Sequence, residues 1–181
     1  VPTLLTTADN VGLLKATLTK EIESAKTIVD AKANVGNALF CIPETAYNTF
    51  AAAVEAAQAA NDNAEATAET LAAARKALAD AVAAYQATPV IAPAAGKQYI
   101  LSLNVPEGNA PVAMSITSDR ISVESTGTPV TFVAQDNGGY ALSNGTEYVV
   151  YEGSNTWTLK AAADAYAWTI APVEGGYTIQ G

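Results

Sequence analysis

Large apolar residues recur every three or four positions through the first half of the chain, which is the spacing of one face of an α-helix. Three such stripes are separated by polar or glycine-containing stretches, and they predict an up-down-up bundle of three helices. The stripes are Val11, Leu14, Leu18, Ile22, Ala25 and Val29; then Tyr47, Phe50, Val54 and Ala57; then Leu71, Ala74, Leu78, Val82 and Tyr85.

Local signals predict where these helices begin and end. Thr6, Thr7 and Asp9 are available as caps and first-turn acids of the first helix, and Gly36 is a plausible end for it. Pro43 suits the first position of the second helix because its φ angle is already fixed. Asn61 to Asn63 should end that helix, since these side chains bond to their own backbone, and Thr67 is the expected N-cap of the third.

After Gly96 the pattern changes to short runs of Tyr, Trp, Val, Ile and Thr separated by turn residues. About nine runs follow at the spacing typical of an antiparallel sandwich or barrel. The predicted fold class is therefore α+β multidomain, with a three-helix bundle over residues 1–88 and an all-β barrel or trefoil-like domain over residues 97–181. The segment 89–96 is a Pro-rich linker, whose apolar Val90 and Ile91 should hold it against one domain.

The β region also contains an internal repeat. Gly138 to Leu142 reads GGYAL, and Gly175 to Ile179 reads GGYTI. Tyr99, Tyr140 and Tyr177 each open a unit, and the aromatic strands of Phe132 and Trp168 each close one. Repetition at a period of 20–50 residues indicates units that cannot bury their apolar faces alone.

Composition limits the chemistry and the partners. The net charge is −9, with acids in excess in both halves, so neither nucleic acid nor an anionic membrane surface is an expected partner. No window is apolar enough for membrane insertion. Histidine is absent, which removes the commonest general base and metal ligand. The single cysteine, Cys41, lies in an apolar run and is expected to be a small buried hydrophobe.

The alanine-rich half resembles a known module. The run from Glu44 to Ala57, then Ala66-Thr67, then the run from Leu71 to Val82, is similar to FIVAR-type three-helix modules. Such modules occur as accessory units in secreted and surface-attached bacterial proteins, often beside carbohydrate-active or glycan-binding domains. The resemblance implies a secreted or cell-envelope location, with a signal peptide already removed, because the start at Val1 lacks the features of one. A generic helical spacer is the alternative.

The β region is similar to the ricin-type β-trefoil in its tyrosine-led units and in the phrase from Trp168 to Ile179. A trefoil has three units, whereas the third unit here has just begun at Gly181. Either the sequence is part of a longer domain, or the fold is a smaller barrel with the same hairpin style. Ricin-type lectins use Gln-x-Trp near the end of a unit, but here the phrase is Tyr166-Ala167-Trp168, so no sugar-binding residue is carried over.

Aromatic residues of the second unit are the candidate ligand contacts. Sugars are commonly bound by an aromatic face against the ring, with nearby amides and carboxylates on the hydroxyls, and loops supply many such groups. Strand alternation places Tyr148 and Tyr151 on opposite faces, so at most one should be exposed. Trp168 is expected in the core. The candidate ligand-binding residues are Trp157, Tyr148, Tyr151, Glu152, Asn155 and Asn144.

Catalysis and metal binding are not expected. The closest acid pairs, Asp119 with Glu124 and Glu147 with Glu152, flank hairpin turns rather than a cleft of the kind that glycosidases need. Asp62 lies between two asparagines but lacks the twelve-residue pattern of a calcium loop, and helix capping explains it. No cofactor is implied.

The sequence therefore predicts a non-catalytic, secreted or cell-surface accessory protein that binds glycan or another cell-surface polymer through its β domain. Two alternatives remain. One is a structural spacer or adhesion segment without a small-molecule ligand, and the other is a protease inhibitor that presents the loop 105–111 to the protease. The sequence leaves the oligomeric state and the ligand open.

Overall fold

The computed structural model describes residues 7–103, 105, 107–117, 121–153, 156–160, 167–173 and 176–180. The chain divides into two compact units, Val1–Ile91 and Ala92–Gly181. The first unit is helical and the second consists of antiparallel β-strands, so the two-part α+β layout is observed.

The helical unit contains α1 (Thr7–Ala31), α2 (Glu44–Asp62) and α3 (Ala68–Gln86). A short parallel pair of β1 (Val35–Gly36) and β2 (Ile42–Pro43) lies between α1 and α2. Cross-helix hydrogen bonds show that α1 and α2 run antiparallel, since later residues of one meet earlier residues of the other. These bonds join Lys15 to Asn63, Thr19 to Asn61 and Lys26 to Gln58.

The predicted apolar stripes form the core of this unit. Leu18, Ile22, Phe50, Leu71 and Leu78 are almost completely buried. Burying each large apolar side chain contributes roughly 1.5–3 kcal/mol relative to leaving it exposed. The rings of Phe50 and Tyr85 stack with centroids 4.7 Å apart, which fixes α2 against α3.

The helix ends agree with the sequence signals at α3 and differ at α1. Thr67 caps α3 with the reciprocal hydrogen bonds of a capping box, in which Thr70 is the partner. The predicted end of α1 at Gly36 is wrong: the helix ends at Ala31, because Lys32 and Asn34 adopt left-handed conformations with φ of 43° and 55°.

Residues before α2 and after α3 are joined through the backbone. Pro43 precedes the first residue of α2 instead of being that residue. The N–H of Phe40 donates to the carbonyl of Ile91 (2.8 Å), and the N–H of Ile91 donates to the carbonyl of Cys41 (2.9 Å). The expectation that the apolar linker lies against a domain is therefore confirmed at Ile91. Cys41 is a free cysteine and is buried, as predicted.

Over its described residues the β unit contains nine strands, in agreement with the prediction of about nine, and the pairings seen between them are antiparallel. They are β3 (Gln98–Tyr99), β4 (Ala113–Ile116), β5 (Ile121–Glu124), β6 (Val130–Ala134), β7 (Tyr140–Ser143), β8 (Tyr148–Gly153), β9 (Thr156–Lys160), β10 (Thr169–Val173) and β11 (Gly176–Gln180).

These strands form one five-stranded sheet and two hairpins. The sheet has the order β3-β6-β7-β8-β9, and the hairpins are β4–β5 and β10–β11. Isolated bridges join Ser102 to Ala113 and Tyr140 to Trp168. Over the part of the chain that is described, no sheet closes on itself.

The predicted repeat is visible in the pairing. In the first unit the opening strand β3 pairs with the closing strand β6, and the two strands between them form the hairpin β4–β5. In the second unit the opening strand β7 bridges to Trp168, just before β10, and β8–β9 is the hairpin. Each closing strand then pairs with the next opening strand, β6 with β7 and β10 with β11.

The register corrects one assignment within the repeat. Tyr99 lies opposite Val130, whereas Tyr140 lies opposite Trp168. Trp168 is therefore the equivalent of Val130, and the equivalent of Phe132 is Ile170. Matching Phe132 to Trp168 by residue type was wrong, because the loop before Tyr177 is one residue shorter than the loop before Tyr140.

Candidate functional site

The aromatic candidates lie along the β8–β9 hairpin, at two separate places. Tyr148 pairs with Lys160 at the start of β8, next to the turn that joins it to β7. Tyr151 pairs with Trp157 at the other end, where the register shifts between Tyr151 and Gly153. A β-bulge of this kind bends the strand and redirects the side chains beside it.

Tyr148 and Tyr151 do not belong to one surface. They are three positions apart, so strand alternation directs them to opposite faces of the sheet, about 10 Å apart along the strand. Both side chains are half-buried. The expectation that at most one of them is exposed is therefore met, and the two tyrosines cannot contact a single small ligand together.

Asn144 is used to build its own turn. Its side-chain oxygen accepts hydrogen bonds from the backbone N–H of Thr146 (3.1 Å) and of Glu147 (2.9 Å), and from the hydroxyl of Thr146 (3.2 Å). Gly145 takes a φ of 107°, which favours glycine. The carbonyl oxygen of this amide is thus committed to the turn between β7 and β8.

The remaining candidates are described only in part. The backbone of Trp157 lies in β9 and that of Glu152 in β8, while both side chains lie outside the described part of the structure. Asn155 lies wholly outside it. Of the six candidates, the register brings Tyr151 and Trp157 to opposed positions, with Glu152 next in the chain, and it separates Tyr148 and Asn144 from them.

The β unit also contains a half-open apolar pocket that sequence reasoning did not find. Its volume is about 200 Å³, and Trp168 forms part of its wall as the predicted core residue, 4% exposed. Strand alternation could have suggested its inward positions, but it could not show which strands meet. The lining residues are Leu101, Met114, Ile121, Leu142, Val149, Trp168 and Ile179. Such a lining suits hydrocarbon groups better than sugar hydroxyls.

A groove of about 450 Å³ lies between α1 and α3 of the helical unit. Its charged groups are Glu21 and Arg75, which form a two-pronged ion pair with N–O distances of 2.6 Å and 2.9 Å. The hydrogen bonds from Arg75 hold the pKa of the Glu21 carboxyl below its ordinary value. This pair therefore joins two helices, and neither partner is poised to transfer a proton near neutral pH.

Among the residues that the structure describes, the other charged groups show no arrangement for metal chemistry. Over the described residues, no cluster of three Asp, Glu or Cys side chains is placed to hold a metal ion. The Asp62 carboxylate accepts hydrogen bonds from the side chain of Gln58, one turn earlier in α2. The Asn63 side-chain oxygen accepts one from the N–H of Glu65, which supports the turn predicted after α2. Asp119 and the side chain of Glu152 lie outside the described part of the structure. The distance between the carboxylates is therefore defined neither for Asp119 and Glu124 nor for Glu147 and Glu152.

The membrane prediction can be checked for the helices. None of the three described helices has the length and hydropathy that a bilayer span requires.

Comparisons of this chain with protein-family models, with curated proteins and with solved structures give no match. The fold and the hairpin geometry are thus the observations from which a function is argued.

Proposed function

We propose that this chain is a non-catalytic accessory protein of the secreted or cell-surface type, and that it binds a glycan or a similar cell-surface polymer through the β8–β9 hairpin. The observation that carries the proposal is the register of this hairpin, in which Tyr151 lies opposite Trp157. Directly opposed residues have Cβ atoms about 5 Å apart, so two aromatic residues there occupy adjoining positions.

The chemistry around this pair suits a sugar. Aromatic faces pack against the C–H surface of a pyranose ring, while amides and carboxylates bond its hydroxyls. Glu152 and Asn155 flank the aromatic positions in the chain and carry both kinds of polar group. The register shift at Gly153 is also of the type found near binding sites.

The proposed architecture of the β unit is trefoil-like or a small barrel. It is supported by the repeated pairing of opening and closing strands, with a hairpin between them in each unit. The resemblance of the helical unit to FIVAR-type modules supports a role beside other domains on the outside of a cell. Its apolar core and its paired groove charges fit such a supporting role.

A glycan array followed by calorimetry on the best hit tests the proposal. Trp157→Ala and Tyr151→Ala should each weaken binding by about tenfold or more, because loss of roughly 1.4 kcal/mol of contact energy has that effect. Tyr148→Ala is the matched control: it removes the same ring three positions away, on the opposite face, and should leave affinity within about twofold.

A structural spacer is the second candidate. It is favoured by the turn between β7 and β8, where the Ser143 hydroxyl and the side-chain oxygen of Asn144 are hydrogen-bonded within the turn itself. If the protein unfolds cooperatively on heating, and is therefore folded, but binds no glycan on the array saturably, the spacer role replaces the proposal of glycan binding. Binding that Tyr148→Ala abolishes and Trp157→Ala spares would place the site at the other end and on the opposite face of the hairpin, away from Tyr151 and Trp157.

A further inference from the structure

Two turns of the β unit contain an Asn-Gly pair, and these are the two Asn-Gly pairs of the sequence. Asn137-Gly138 lies between β6 and β7, and Asn144-Gly145 lies between β7 and β8. Both glycines take left-handed φ angles, 85° and 107°, which suit tight turns between antiparallel strands. The same dipeptide thus occurs twice in the same kind of turn, so that differences between the two sites come from their surroundings.

An Asn-Gly pair is chemically reactive within its own backbone. The glycine nitrogen loses its proton and attacks the side-chain carbonyl carbon, Cγ, of the asparagine. The new N–C bond closes a succinimide ring, the bond from Cγ to Nδ2 breaks, and ammonia leaves with the proton. Water then opens the ring at one of its two carbonyls and gives aspartate or isoaspartate. Glycine favours this reaction because no side chain obstructs its nitrogen, and asparagine is among the thermolabile residues.

Local hydrogen bonds control the rate of this reaction in a folded turn. The asparagine side chain must rotate until Cγ meets the next backbone nitrogen, and the N–H of that nitrogen must leave its acceptor. Each hydrogen bond that holds the asparagine oxygen or the glycine N–H therefore slows the reaction, by about two- to tenfold at typical net strengths. The hydrogen bonds of the two turns can be compared on this basis.

Asn144 is held by several bonds. Its Oδ1 atom accepts hydrogen bonds from the N–H of Thr146 (3.1 Å), the hydroxyl of Thr146 (3.2 Å) and the N–H of Glu147 (2.9 Å). The N–H of Gly145 donates to the hydroxyl oxygen of Ser143 (3.0 Å), and this hydroxyl donates to the carbonyl of Glu147 (2.9 Å). Ser143 is only 4% exposed, so water competes little for this acceptor.

The turn of Asn137 is held by fewer bonds. From the described residues, its Oδ1 atom accepts one hydrogen bond, which the N–H of Gly139 donates (3.1 Å). The N–H of Gly138 donates to the carbonyl of Gln135 (3.0 Å). Asn137 and Gly138 are both exposed, and a Cβ atom added to Gly138 would meet no described atom within 4 Å. Asn137 can therefore rotate towards Gly138 after losing one bond at its oxygen, whereas Asn144 must lose three.

We propose that Asn137 is a site of covalent self-modification, at which the folded protein forms a succinimide with Gly138 and then aspartate or isoaspartate, and that the turn around Asn144 suppresses the same reaction there. Two additional hydrogen bonds at the asparagine oxygen predict a rate at Asn144 that is lower by about tenfold or more. The reaction needs water as its only co-reactant. It lies outside the β8–β9 hairpin and does not depend on glycan binding.

The modified turn lies next to the bridge between Tyr140 and Trp168. Two backbone hydrogen bonds, of 2.9 Å and 2.8 Å, form this bridge. The backbone is closely packed there, because a Cβ atom added to Gly139 would lie only 3.0 Å from the carbonyl oxygen of Trp168. Isoaspartate at position 137 lengthens the main chain by one methylene group, so it should loosen the bridge. Aspartate keeps the length of the main chain and adds one negative charge to the turn.

Peptide mapping by mass spectrometry tests the proposal on the full chain, incubated at physiological temperature and mildly alkaline pH. Asn137 should be lost about tenfold or more faster than Asn144. In protein unfolded by guanidinium chloride the two rates should approach each other, because glycine follows both asparagines and the hydrogen bonds of the turns are gone. Hydrogen exchange of Tyr140 and Trp168 should be faster in the isoaspartate form than in unmodified protein.

Two variants locate the protection of Asn144. Ser143→Ala removes the acceptor of the Gly145 N–H, and Thr146→Val removes one donor to the Asn144 oxygen. Each should accelerate the loss of Asn144 by about two- to tenfold and leave the loss of Asn137 unchanged, which is the control within the same molecule.

Three results would overturn the proposal. Equal rates at the two asparagines of the folded protein would show that the hydrogen bonds do not control the reaction. Faster loss of Asn144 would show that its three donors stabilise the oxyanion of the attack instead of restraining the side chain. Loss of Asn137 from the unfolded protein alone would show that the folded turn protects this site as well.

Discussion

The ion pair of Glu21 and Arg75 shows how single residues act in this protein. It joins α1 to α3 through three hydrogen bonds, although each side chain remains about one-third exposed, at 37% and 35%. Planar two-pronged pairs hold their geometry better than single contacts, but water still screens a pair at this exposure. The contribution of this ion pair to the free energy of unfolding should therefore be modest, and it can be measured from how that free energy changes with pH.

We predict that Glu21→Gln destabilises the protein at pH 7 and has a smaller effect at pH 3. Hydrogen bonds from Arg75 hold the pKa of the Glu21 carboxyl in the folded protein below its unfolded value. A lowered pKa contributes stability that is present above the unfolded value and is lost as the pH falls through the folded value. Urea unfolding of both proteins at the two pH values measures the difference.

The exposed pair of Lys76 and Asp80 provides the control for this experiment. These residues are four apart on α3 and are 77% and 65% exposed. Asp80→Asn should change the free energy of unfolding less than Glu21→Gln does. A Glu21→Gln effect that grows as the pH falls would contradict the assigned direction of the pKa shift.

The sequence predicted which residues are buried better than it predicted what individual side chains do. Trp168 and Cys41 are buried as predicted, since large apolar groups have few alternatives to the core. Asn144 could be a ligand contact or a turn former, because one amide oxygen serves either purpose. The choice depends on the positions of the N–H groups of Thr146 and Glu147, which only the folded turn defines.

At the scale of elements, periodicity predicted the three helices and nine strands, while their limits and registers depended on contacts. α1 ends five residues before Gly36 because the chain turns through left-handed residues to form the β1–β2 pair. Phe132 and Trp168 were matched because both are aromatic. Counting back from Tyr140 and Tyr177 through the paired positions gives Phe132 and Ile170 instead.

Gly127 provides a prediction for the β unit. It precedes β6, and a Cβ atom at this position would lie 2.5 Å from the Cγ2 atom of Ile100 and 2.7 Å from the Cβ atom of Ala113. Real carbon atoms do not approach so closely, so the neighbours must move. We expect Gly127→Ala to lower the free energy of unfolding by about 1–3 kcal/mol, as overpacking does elsewhere.

Urea unfolding followed by tryptophan fluorescence measures this effect, because both tryptophans lie in the β unit. Gly176→Ala is the control: an added Cβ atom there meets no described atom within 4 Å, and its φ is not left-handed. Equal stability of the two variants would show that Ile100 and Ala113 can move away without cost.

At the scale of the whole chain, the local spacing of apolar residues predicted a helical half and a β half. It did not predict which distant strands pair with each other. The apolar pocket of the β unit brings together Leu101, near the start of the unit, and Ile179, near its end. Alternation marks both residues as apolar, yet only tertiary pairing brings them together. The helical core, by contrast, is formed entirely by stripes that the sequence already displays, from Leu18 to Tyr85.

Because every residue of the helical core belongs to the first unit, we expect residues 1–91 to fold without the β unit. The fragment should show a helical circular dichroism spectrum and one cooperative thermal transition. Phe50→Ala should destabilise it by about 3–5 kcal/mol, since the ring is almost fully buried and stacks on Tyr85. Ala52→Gly, at an exposed position of α2, should cost only about 1 kcal/mol. An unfolded fragment would mean that the bundle needs the second unit for its stability, in spite of its separate core.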